Sequence, residues 1–253
     1  MGVLSNKISR DELKPGDHIY SWRHAHIYAH HGIYVGEGKV IHFTRGGGQE
    51  IGSGTFLDHA IFSSSPSHDS GNPCPQCGDQ SRLDGVISSC IDCFLAGGDL
   101  YLFEYGVSPV FFLAKARGGT CTLASSDSPE NVLHRAHYLL EKGFGVYHLF
   151  KNNCEDFAIY CKTGRIVITT ISVGRSGQAA SFLAAASAII SSPLRYLTRS
   201  FSGLAVVGCS MYCVSRLVSD IGVRRDVVIV PVERLVSRAS IDEIDTGDVS
   251  MED

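Results

Sequence analysis

Between residues 14 and 44 the chain is rich in β-branched and aromatic residues, with turn formers between them, which predicts strands. LKPGDHIYSW follows a Pro-Gly turn, and IYAHHGIYVG reads as a second strand. Gly36-Glu37-Gly38 marks a turn, and KVIHFTR then completes a hairpin. The glycine-rich run from Gly46 to Gly54 reads as a loop. From residue 63 to 98 the pattern becomes polar and full of turn formers, as in SSSPSHDSGNPCPQCGDQ, and predicts an insertion. DLYLFEYG, from Asp99, returns to strand character.

Helical spacing starts at Ser128-Pro129-Glu130, with Ser as cap and Pro in the first turn. Val132, Leu133, Ala136, Leu139 and Leu140 share one face, and Gly143 ends the run. A short strand, GVYHLF, precedes a second helix that begins after Asn153. There Phe157, Ala158 and Cys161 fall on the face of Cys154, and Gly164 is a C-terminal cap. Beyond Arg165 two apolar stretches follow, Ala179 to Ile190 and Leu204 to Val218. The first is shorter than the ~20 residues a helical membrane span needs, and the second contains Arg216. They predict either a hairpin on a membrane surface, with Arg175, Arg195 and Arg199 near headgroups, or helices packed on the domain. The acidic end, residues 236–253, is expected to be disordered. Gly2 is placed for myristoylation, but Asn6 misses the required hydroxyl residue.

Hydrophobic residues make up 44% of the 253 residues and charged residues 19%, so most of the chain should fold. A net charge of -4 argues against a general nucleic-acid binder. With no apolar leader core in MGVLSNKISRDELK, the expectation is an intracellular, cytoplasmic protein, peripheral at most on a membrane. Nine cysteines then read as reduced thiols for metal or catalysis. Cys74, Cys77, Cys90 and Cys93 form C-x2-C-x12-C-x2-C, a donor set for tetrahedral structural zinc; redox C-x2-C pairs are the rival, and two pairs together favour metal. Bound metal would supply folding energy that the insertion's few apolar residues cannot.

Cys154 sits where a helix N-terminus stabilises a thiolate, although Glu155 and Asp156 oppose that charge. Its plain alternative is a buried core thiol. Thiol catalysis needs a base and a group to hold the base. His30, His31 and His42 lie on the predicted hairpin. Alternation sends His30 and His31 to opposite faces, so only one of them shares a face with His42.

GDHIYSW, YAHHGIYVGEGKVIHF and NNCEDFAIYCKTG together resemble the lecithin:retinol acyltransferase, or NC, domain family, most of all its plant NC domain-containing branch. The resemblance covers about residues 13–165 and implies an α+β, permuted papain-like antiparallel sheet with a packed catalytic helix. Around that core, the reading adds a zinc-stapled insertion (63–98) and a helical C-terminal extension (166–235). The resemblance also implies Cys154 as nucleophile, His30 as base and His42 as orienting group. Animal members have histidine where this chain has Asp156, which bears on substrate preference. The implied reaction is acyl transfer from a phospholipid or other acyl lipid, as phospholipase or acyltransferase, with main-chain N–H groups near Cys154 binding the oxyanion. No catalytic cofactor is implied. The alternatives are a lipid-binding or scaffolding protein that keeps the fold, favoured by a buried Cys154 or one far from His30, and a thiol peptidase or amidase.

Overall fold

A computed structural model describes residues 6–23, 28–44, 73–80, 83–115, 118–145, 153–167 and 201–236. The Gly46–Gly54 run, most of GVYHLF, Ala179 to Ile190 and the acidic tail lie outside them. In chain order the described elements are β1 (His18–Arg23), β2 (Tyr28–Gly36), β3 (Lys39–Thr44), β4 (Gly85–Cys90), α1 (Ile91–Leu95), β5 (Tyr101–Leu102), α2 (Pro109–Ala114), α3 (Pro129–Lys142), α4 (Cys154–Thr163), β6 (Arg165–Val167), α5 (Phe201–Ser219) and β7 (Val227–Ile229).

Five strands form one antiparallel sheet in the order β4-β3-β2-β1-β5. Its central hairpin, β2 to β3, turns through Glu37 and Gly38, both at positive φ (51° and 68°), the backbone that a tight hairpin turn needs. Alternation divides the sheet's residues between two layers. On one face Ile33, Ile41 and Phe43 pack against Val132, Ala136 and Leu139 of α3 and Phe157, Ala158 and Cys161 of α4. On the other, Ile19 and Val40 pack against Ile91, Phe94 and Leu95 of α1. Buried Arg23 closes the end of α1 by donating to the carbonyls of Phe94 and Leu95.

Two segments are tied into the domain more closely than the sequence pattern indicated. The second cysteine pair is built into the sheet, because β4 pairs with β3 from Lys39↔Cys90 to Thr44↔Gly85 and α1 follows it directly. The C-terminal region also returns to the domain. β7 pairs with β6, and Val232 joins the core beside α3 and α4. Arg216 of α5 is buried, donates to the Lys115 carbonyl and lies 4.4 Å from the Phe112 ring centre. Asp220, just after α5, accepts from Thr122 Oγ1 and from the Leu123 main-chain N–H. The end of the second apolar stretch therefore packs on the domain. Its helix still exposes Val206, Val214 and Val218. No helix among the described residues is long and apolar enough to cross a membrane.

Candidate active site and cysteine cluster

Asn153 starts α4. Its side-chain oxygen accepts from the N–H groups of Glu155 and Asp156, while Asp156 accepts from the Asn153 N–H, a reciprocal cap. Cys154 is thereby fixed as the first helical residue, inside the turn where the helix dipole is strongest. The same cap commits two first-turn donors to Asn153, so the N–H groups of Glu155 and Asp156 are not open to an oxyanion.

Cys154 is 1% exposed, and its sulfur meets the main chain of β2, 3.8 Å from the carbonyl oxygen of Ala29. The next residue along β2 is His30. Burial pushes the Glu155 carboxyl up to about 8, with Asp156 and Asp220 adding to the shift. Near pH 7 Glu155 is thus largely neutral, which removes one of the two negative charges expected beside the thiol. Glu155 also lines a cavity of about 100 Å³ with Phe103, Phe112, Ile159, Arg216 and Asp220.

The histidines separate as alternation requires. His30 and His42 share the face beneath Phe94, with His30 Nε2 2.9 Å from His42 Nδ1. His42 Nε2 is 2.7 Å from Ser89 Oγ on β4. The pair fits because the residue beside it is Gly32: a Cβ there would lie 3.1 Å from His42 Cβ and 2.9 Å from the Phe94 ring. Among the described residues His30 Nδ1 and His31 Nε2 are both buried with no hydrogen-bond partner. His31 faces the other way and pairs with His18, Nδ1 to Nε2 at 2.9 Å, while His18 Nδ1 lies 2.7 Å from the Tyr105 hydroxyl. Burial lowers all four histidines: His31 and His42 to about 3, His18 and His30 well below their usual value. For His30 the neighbouring His42 and Arg23 lower it further. All four are neutral at pH 7.

The structure thus joins His30 to His42 on the α1 face of the sheet, while Cys154 comes from α4 on the opposite face, the one that carries His31, and meets the main chain just before His30. It also reveals a second buried pair, His18–His31, and a support for His42 from Ser89. His18 was visible within GDHIYSW, but only the β1–β2 register, Tyr20↔His31 and His18↔Ile33, places it on the His31 face. Nothing local to Ser89 marks it; the contact exists because β4 lies beside β3.

Around the cysteine pairs, the sulfurs of Cys74, Cys77, Cys90 and Cys93 all lie within 4.8 Å of one another, and no cysteine of the chain is in a disulfide. Cys74 and Cys90 sulfurs are 3.8 Å apart. Zn–S bonds of about 2.3 Å in a tetrahedron give S···S edges of about 3.8 Å. Main-chain N–H groups point at the sulfurs, Cys90 N to Cys77 Sγ at 3.0 Å and Cys93 N to Cys90 Sγ at 3.5 Å, an arrangement that favours thiolates. The four residues fit a structural tetrathiolate centre.

Residues 11–167 match the sequence profile of the family described as Lecithin retinol acyltransferase. The chain is 56% identical to Protein LEAD-SENSITIVE 1 of Arabidopsis thaliana over 241 residues, which spans 95% of this chain and 92% of that protein.

Proposed function

Because the chain belongs to the lecithin retinol acyltransferase family, we propose that it moves acyl groups from a lipid ester through a thioester on Cys154, with His30 as base and His42 as the group that holds it. What supports this reading is the family match together with the His30–His42 hydrogen bond and the contact of Cys154 with the β2 main chain next to His30; among the described residues both His30 Nδ1 and His31 Nε2 are buried without a partner.

The chemistry follows from those groups. His30 Nδ1 takes the thiol proton as the sulfur attacks the ester carbonyl carbon. The C–O bond breaks, and the alcohol leaves with the proton from His30. Water, an amine or a hydroxyl then attacks the thioester carbon and gives its proton to His30; the C–S bond breaks, the acylated product leaves, and the thiolate takes the proton back from His30. Burial keeps His30 neutral and ready to accept a proton. Burial also makes a lone imidazolium costly, so imidazolium and thiolate are expected to form together, each offsetting the other's charge.

Zinc is proposed for Cys74, Cys77, Cys90 and Cys93. When bound it supplies folding energy to the segment that carries β4 and α1. The substrate class is a phospholipid or another acyl lipid, met at a membrane surface.

The burial of Cys154 favours a second reading, a lipid-binding or scaffolding protein that keeps the fold without turnover. Incubation of the whole protein with mixed phospholipid vesicles separates the two. Acyl transfer predicts a mass gain equal to an acyl chain, labile to hydroxylamine and absent from Cys154→Ala. Vesicle binding by both proteins, with no adduct and no released fatty acid, would select the scaffold.

A further inference from the structure

Gln80 lies three residues beyond Cys77, and Ser89 lies immediately before Cys90. The two side chains meet: Ser89 Oγ donates to Gln80 Oε1 at 2.6 Å. The other end of the Gln80 amide, Nε2, donates to the Ser88 carbonyl at 2.8 Å. A main-chain carbonyl can only accept, so this contact fixes which way round the amide sits. Oε1 must then face Ser89.

The consequence runs through two histidines. A serine hydroxyl has one proton, and Gln80 takes it. Towards His42, Ser89 Oγ can therefore only accept, so His42 carries its proton on Nε2. His42 is neutral and buried, so its Nδ1 is a bare acceptor. At 2.9 Å that acceptor requires His30 to donate from Nε2. His30 is neutral as well, so its Nδ1 is bare. Among the described residues that nitrogen has no hydrogen-bond partner, and it is the one the proposed thiol chemistry needs as base. The other buried pair has no such direction, because His18 ends on the Tyr105 hydroxyl, which either donates or accepts.

We infer that Gln80 and Ser89 are positioning residues that set one tautomer of His42 and hence of His30, and that the four-cysteine centre maintains this setting by holding together the two segments that carry them. Gln80 is 8% exposed and Ser89 is fully buried, so the relay is shielded from competing water. Its tie to the metal site comes from the chain itself. Gln80 follows the first knuckle, Ser89 leads into the second, and a metal on Cys77 and Cys90 fixes the span between them. The role in thiol chemistry rests on the function proposed above. The tautomer assignment does not.

The test is a long-range proton–nitrogen correlation spectrum of the imidazole rings of full-length, zinc-loaded protein, with His30 and His42 identified through His30→Gln and His42→Gln. Both rings are expected to carry a proton on Nε2 and a bare Nδ1. A proton on Nδ1 of either ring in the unaltered protein overturns the inference; the two variants serve only to identify the signals. Ser89→Ala is expected to give mixed tautomers at His42 and His30 and to slow Cys154 alkylation by iodoacetamide by about ten-fold, the scale of one lost buried hydrogen bond. Ser89→Thr, which keeps the hydroxyl, is expected to restore both readouts. Unchanged tautomers in folded Ser89→Ala would remove Ser89 from the relay. Chelation of the metal is expected to mix the tautomers in the same way, and an unchanged spectrum after verified metal loss would overturn the link to the cysteine centre. Correct tautomers without any acyl adduct on Cys154 would sink the acyl-transfer reading and leave the relay standing.

Discussion

Gly32→Ala adds one methyl group at the most crowded point beneath the histidine pair. The new Cβ would lie 2.7 Å from Val40 Cγ1, 2.9 Å from the Phe94 ring and 3.1 Å from His42 Cβ. Carbon atoms pack at about 3.5–4.0 Å, so Val40 and Phe94 must each retreat by more than about half an ångström. Neither has free room, since Val40 is fully buried and Phe94 is 1% exposed. Overpacking of this kind costs about 1–3 kcal/mol. At roughly 2–4 °C per kcal/mol for a domain of this size, the melting temperature should fall by about 4–8 °C for a cost near 2 kcal/mol. His42 is pushed as well, so its bond to His30 should weaken and Cys154 alkylation should slow about ten-fold. Gly38→Ala is the control. It meets nothing within 4 Å and is strained only by its positive φ, so it should cost about 1 kcal/mol and leave alkylation unchanged. Thermal unfolding and timed alkylation at pH 7 read both effects. A Gly32→Ala protein as stable and as reactive as the parent would refute the packing argument and the place given to His42.

The remaining expectations concern pH, metal and the C-terminal helix. Glu155 has a folded pKa of about 8 against 4.5 unperturbed, so its contribution to stability is complete below pH 4.5 and is lost as pH rises through about 8. Glu155→Gln should flatten that limb in denaturant titrations between pH 5 and 9; a curve parallel to the parent's would refute it. His31 and His42 have the opposite sign, since their depressed values of about 3 give stability that is present above 6.5 and lost as pH falls towards 3. Chelation, or Cys77→Ser, should remove one zinc equivalent per chain and lower the melting temperature by roughly 10 °C, the effect of losing a ligand held at about 1,000 times its dissociation constant; equal metal content in the variant would contradict the site. Arg216→Ala removes a buried cation from the Lys115 carbonyl and the Phe112 ring and should cost about 2–4 kcal/mol in unfolding experiments. A neutral result would mean that α5 is not anchored there.

Much of the site can be read in the sequence because its signals are local. Asn153 and Gly164 bracket α4, and the apolar spacing behind Cys154 identifies the face it packs with. Period-two alternation through His30, His31 and Gly32 decides that one histidine of the two shares a face with His42, and the structure gives that place to His30. The parts that were not legible depend on contacts between distant segments. GVISSC looks like the inside of a polar insertion because a strand of six residues with two serines carries little signal. Its partner β3 lies some 45 residues earlier, and that pairing is what gives His42 its Ser89 contact. Arg216 breaks an apolar run, and the sequence alone leaves open whether that run meets a membrane or the domain. The carbonyl of Lys115 and the ring of Phe112 settle this for its own end of α5, from a hundred residues away. The strand at Val227 pairs with the one at Arg165 across some 60 residues of sequence.

The central claim is that the Cys154 thiol is served by His30 and not by His31. The most direct measurement is single-turnover acylation of Cys154 by an activated fatty-acid ester, followed by intact mass, in the parent, His30→Asn and His31→Asn. The expected result is a loss of about 10²–10⁴-fold in His30→Asn, the usual contribution of a positioned base, with His31→Asn within a few-fold of the parent. Full acylation in His30→Asn together with loss in His31→Asn would contradict the assignment and move the base to the His18–His31 pair.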